Sequence, residues 1–85
     1  MKFRIFYTPN TPADHDIAYL QQRLETNHIS PELIDTNTID GAGIAQSYDI
    51  LARPASMVIA DDGSVLQQWS GLPSAEEVTG IFGGL

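Results

Sequence analysis

Cysteine is absent from this chain, and the absence removes more chemistry than any residue present adds. Without a thiol there is no disulfide, no thiolate metal ligand and no thiol nucleophile, so packing alone must stabilise the fold. Basic residues are scarce as well: four Lys and Arg stand against eleven Asp and Glu, a formal charge of -7. Such a surface repels phosphate backbones and anionic lipid, so neither nucleic acid nor a membrane is an expected partner. Long apolar runs are also missing. "MKFRIFY" opens with basic residues, but its apolar positions end within a few residues, too short for a secretory segment or a membrane span. A soluble, cytoplasmic protein is the expectation, although a chain without cysteine is compatible with either redox compartment.

What is present describes a globular chain, with 42% hydrophobic and 18% charged residues. Residues 1–85 form one domain, which at this size buries somewhat over ~60% of its unfolded surface. Residues 2–7 alternate Phe3, Ile5 and Tyr7 against Lys2, Arg4 and Phe6, a β pattern. In "TPAD", Thr11 suits the N-cap of a helix, Pro12 its first position and Asp14 its third. Ala13, Ile17, Leu20 and Leu24 then recur at helical spacing. Pro31 stops that helix, and "ELID" reads as a strand with Leu33 and Ile34 buried, parallel to the first. Ile44 and Tyr48 mark a short second helix in spite of Gly41 and Gly43. "PASMVIA", "DDG" and "SVLQQW" read as strand, hairpin turn and strand, with Pro54 as the first strand residue. Gly71 and Pro73 break the last strand. "SAEE" is a capping box of Ser74 and Glu77, opening a helix that presents Val78, Ile81, Phe82 and Leu85 and ends at Gly83 and Gly84.

The resulting order, β-α-β-α-β-β-α, resembles the thioredoxin-like superfamily in its glutaredoxin-sized form. "YTPNTPAD" is similar to the glutaredoxin pattern Tyr-Thr-x-Pro-x-Cys-Pro-x-Cys with a shortened loop, so that Thr11 and Asp14 fall on the two cysteine positions. "YDILARPASMVIADDGSVLQQWSG" is similar to the stretch that passes through the family's cis-proline into a hairpin, with Pro54 at the proline position, Gly63 in the turn and Gly71 at the break before the last helix. The resemblance implies a three-layer α/β/α sandwich around a four-stranded mixed sheet. It also implies a cis Arg53–Pro54 bond, where sequence alone favours trans, and a groove in which the backbone before Pro54 pairs with an extended peptide or with glutathione.

The family's reaction needs a thiolate held at a helix N-terminus, and a hydroxyl does not replace it at neutral pH. Thr11 and Asp14 read either as ordinary helix-start residues or as part of a site in which the hydroxyl orients a ligand. Arg53 is either a solvated arginine or a clamp beside the first helix, pairing with Asp14 or with a ligand carboxylate. No cofactor is expected and no metal site: Asp14, His15, Asp16 and His28 supply oxygen and nitrogen ligands, but adjacent helical residues point about 100° apart and do not converge on one ion. "DGAG" lacks the Lys and Ser of a phosphate loop. Trp69 is either a binding anchor or a core residue. The expected function is a redox-inactive module holding a peptide or protein, a basic one given the charge, in a groove of Thr11, Pro12, Asp14, Arg53 and Pro54. Two alternatives stand beside it: an enzyme binding glutathione or another thiol non-covalently through Thr11, and a structural domain with a vestigial groove.

Overall fold

The computed structural model describes residues 1–83. Its elements are β1 (Lys2–Tyr7), α1 (Ala13–Glu25), β2 (Glu32–Asp35), α2 (Ile39–Ser47), β3 (Ala55–Ile59), β4 (Val65–Trp69) and α3 (Ala75–Gly83). The sheet order is β2-β1-β3-β4. β1 pairs parallel with β2, as a strand-helix-strand unit requires, and antiparallel with β3, so the sheet is mixed. Helices cover both faces, which makes β3 buried at every residue and explains its continuous apolar run.

The alternation along β1 sorts its side chains between two cores. Phe3 and Ile5 pack with Ile17, Leu20 and Leu24 of α1 and with Ala75 and Val78 of α3. Phe6 faces the other way, with Met57, Ile59 and Ala45 beneath α2. Trp69 is half-buried against the first of these cores and meets Phe3 edge to face, with ring centroids 6.2 Å apart. Only half of the expected β2 pair is buried. Ile34 is 8% exposed and Leu33 38%, because successive strand residues point to opposite faces and α2 covers only one of them at this edge.

Helix α2 forms in spite of its two glycines because Thr38 caps it, its hydroxyl accepting from the Gly41 N–H at 2.9 Å. Gly41 also lets the helix lie against the end of β2. A Cβ there would sit 1.9 Å from the Asp35 carbonyl oxygen. In the hairpin, Ala60 and Ser64 are joined by a 2.8 Å backbone bond, and Gly63 adopts φ +92°, a conformation glycine supplies at no steric cost.

At the start of α3 the Glu77 N–H donates to Ser74 Oγ at 3.1 Å. The reciprocal half of the expected capping box, from Ser74 N–H to the Glu77 carboxylate, is not formed among the described residues. Replacing Ser74 by Ala should therefore cost about 1 kcal/mol, a fall in Tm of roughly 4–8 °C by circular dichroism. Val78 is buried and Ile81 and Phe82 half-buried in the stripe that α3 presents. Gly83 is the last helical residue. Gly84 and Leu85, expected to end the helix and complete its stripe, lie outside the described residues.

Candidate functional site

Strand register brings three connections to one end of the sheet. Tyr7 is the last residue of β1, Ala55 stands opposite Phe6, and Trp69 stands opposite Ser56. Residues 8–12, 51–54 and 70–74 therefore leave the sheet side by side, and Thr11, Pro12, Asp14, Arg53 and Pro54 belong to the first two of these connections or to the helix turn that follows. Ser56, completely buried, ties the third connection down by donating from Oγ to the Gly71 carbonyl at 2.8 Å. β3 begins one residue after Pro54, not at it, and the Arg53–Pro54 peptide is cis.

The start of α1 lies one residue later than expected, so Thr11 precedes the cap, Pro12 is not the first helical residue and Asp14 is the second, not the third. Pro12 is the capping residue, and no side chain caps the helix. The Thr11 hydroxyl turns back and donates to the Thr8 carbonyl at 3.0 Å, while the Thr11 carbonyl accepts from the Asp14 N–H. Asp14 in turn reaches back to the Asn10 N–H, with its Oδ2 at 2.9 Å. These bonds stabilise Asn10 at φ +62°, a left-handed position that asparagine tolerates better than most residues. A hydroxyl has one proton to donate. With that proton given to Thr8, Thr11 can accept from a ligand but has none left with which to stabilise a bound thiolate.

The Arg53 clamp is likewise modified. Among the described residues Arg53 makes no ion pair, and Asp14 accepts from Asn10 instead. Arg53 is exposed, as are Leu51 and Ala52, and the N–H and C=O groups of residues 51–53 have no backbone partner among the described residues. Leu51 is 91% exposed. Free main chain, a free cation and an apolar side chain thus stand together just before β3.

Of the expected site residues, Pro54 lines a cavity of about 420 Å³, with Leu20, Leu72 and Pro73 in its apolar part and Asp16 and Glu76 as its acidic members. A second space of about 690 Å³ continues between α1 and α3, sharing Tyr19, Arg23, Ala75 and Glu76. Arg23 binds Glu76 between the helices and lies 5.9 Å from the Tyr19 ring centroid. The backbone N–H of Glu76 itself, followed by the Arg23 charge, holds the Glu76 carboxyl below the usual range. This inter-helix groove went unread in the sequence. Its only signal was the exposed face of α1, where Asp16, Tyr19 and Arg23 recur at three- and four-residue spacing.

Among the described residues no three His, Asp or Glu side chains gather as a metal site would need, and no helix is long and apolar enough to cross a membrane.

The element order, the mixed four-stranded sheet and the helices on both faces define a thioredoxin-like α/β fold in a chain without cysteine. Solved structures agree. Thioredoxin 1 from the thermophilic eubacterium Thermosipho africanus superposes with a TM-score of 0.74 at 15% identity, covering 99% of this chain and 92% of its own. Thioredoxin-2 of a malaria parasite, a component of its protein secretion machinery, gives 0.79 at 10% identity over 98% and 81% of the two chains. Thioredoxin O2 from Arabidopsis thaliana gives 0.74 at 10% identity over 99% and 73%. Likeness at such identities establishes the fold alone. No protein-family model matches the sequence, and no curated protein matches it.

Proposed function

We propose that the chain is a redox-inactive binding module that holds an extended peptide or protein segment between the start of α1, at Thr11, Pro12 and Asp14, and the connection at Arg53 and Pro54. The observation that carries this reading is the exposed main chain of residues 51–53, free of backbone partners among the described residues. Such main chain can pair with an extended ligand as one strand pairs with another. Leu51 adds apolar contact, Arg53 a charge-assisted donor, and the cavity beside Pro54 room for a side chain. The net charge of -7 favours a basic partner. The committed hydroxyl of Thr11 weighs against the thiol-binding enzyme.

The test is an NMR titration of the labelled protein with a peptide library and, separately, with reduced glutathione. Peptide-induced shifts at residues 9–16 and 51–55 are expected. Shifts there with glutathione alone would favour the thiol-binding enzyme, and no shifts with either would leave the groove vestigial. Arg53→Ala should leave the fold intact and weaken the peptide complex by about tenfold, the loss of one charge-assisted bond. Unchanged affinity in that variant would remove Arg53 from the site.

A further inference from the structure

We propose that β4 is a second docking edge, on which a basic, extended segment of a partner protein adds as a further strand. The two edges of the sheet are unlike. β2 carries Glu32 and Asp35, and Glu32 is held by Arg4; charge on an edge strand discourages pairing with other chains. β4, Val-Leu-Gln-Gln-Trp, has neither a charge nor a proline. Four of its five residues are exposed, with Val65 at 41% and Leu66 at 46%. The register shift between Val58 and Ile59 disturbs only the start of the strand, while Gln67, Gln68 and Trp69 stay in regular pairing with Val58, Met57 and Ser56. Alternate N–H and C=O groups of this stretch therefore face outward along a regular edge.

An added strand also needs places for its side chains. A cavity of about 220 Å³ adjoins Gln68 and Trp69, walled by Ile50, Leu51, Ala52 and the carboxylate residue Asp49. Main-chain bonds to the edge supply affinity, and a pocket beside it selects one side chain in every two.

Charge decides what the occupant is. Asp62 stands at the hairpin end of β4 beside Asp61, which the Met1 ammonium holds, and Asp49 lies beside its other end, while β3, β4, their turn and α2 hold no Lys or Arg. Arg53, on the connection into β3, is the one cation of the adjoining loop. The Ser64 hydroxyl and N–H hold the Asp62 carboxyl below the usual range. A second copy of the chain would bring the same three aspartates and another -7 of net charge, so a basic segment from a different protein fits where self-pairing does not.

The test uses a blocked five-residue peptide, Val-Lys-Val-Lys-Val, added to the labelled protein, with sedimentation to check that the protein alone is monomeric. Amide shifts centred on residues 65–69 are expected, and an acidic Val-Glu-Val-Glu-Val peptide should bind at least about tenfold more weakly. Methylating alternate peptide nitrogens should abolish binding, because it removes the donors that reach the edge. Leu66→Lys and Gln68→Lys, both at exposed positions, should each leave the Tm unchanged and reduce binding about tenfold by charging the edge. The proposal is overturned by equal binding of the methylated or acidic peptide, by undiminished binding to both lysine variants, or by a dimer in the absence of peptide. Shifts confined to residues 9–16 and 53–54 would also overturn it, while supporting the Thr11–Pro54 groove.

Discussion

Gly41→Ala is expected to destabilise the domain by about 3 kcal/mol, at the upper end of what an overpacked site usually costs. The added Cβ would lie 1.9 Å from the Asp35 carbonyl oxygen and 2.8 Å from the Thr38 hydroxyl oxygen. Neither neighbour yields easily. The first is backbone at the end of β2, and the second is held by its own bond to the Asp35 carbonyl at 2.8 Å. The helix must tilt away from the sheet, which loosens Ala45 from its place against Phe6 and Met57. A fall in Tm of roughly 12–24 °C should follow. Gly43→Ala, two residues on, is the control: nothing lies within 4 Å of its Cβ, and the same substitution should stabilise α2 by about 0.5–1 kcal/mol. Equal effects of the two substitutions in urea unfolding would show that contact with β2 is not what fixes position 41.

Phe3→Ala should cost about 3–5 kcal/mol. Phe3 is 1% exposed at the centre of the core shared by α1 and α3, and it provides the edge-to-face partner of the only tryptophan. A domain of this length has roughly 4–13 kcal/mol of stability in total, so the loss is a large share of it and the urea midpoint should fall accordingly. Tryptophan fluorescence reports the event directly, since Trp69 loses its ring contact whether or not the chain stays folded. Phe3→Leu, which keeps most of the volume, should lose less than about 1.5 kcal/mol. A Phe3→Ala protein with an unchanged urea midpoint would contradict the packing described for this face.

The legible parts of the fold were those governed by local rules. Period-two alternation located β1, and i, i+3, i+4 spacing located Ile17, Leu20 and Leu24. Turn chemistry located Gly63. The misreadings came from the third dimension. Leu33 looked as buried as Ile34 because hydrophobicity does not say which face of an edge strand is covered. Gly41 looked like a weak helix residue because a close approach to β2 leaves no trace in a linear pattern. Thr11 looked like a cap because threonine favours that role, yet its hydroxyl found the Thr8 carbonyl first. The expected groove residues lie on connections that strand register brings to one end of the sheet, but Asp14 accepts from the Asn10 N–H and forms no ion pair with Arg53. The space between α1 and α3 exists only once two segments far apart in sequence are packed.

The place of β1 between β2 and β3 imposes an order of events on a growing chain. Residues 1–35 can form a strand, a helix and a parallel strand early in synthesis, yet Phe3 finds Val58 and Phe6 finds Ala55 only after β3 has been made. Until then one side of β1 is a bare template, with its ladder groups and large side chains open to any extended chain nearby. Closure of the sheet on both sides of β1 therefore waits on residues 55–59, which lie in the second half of the chain.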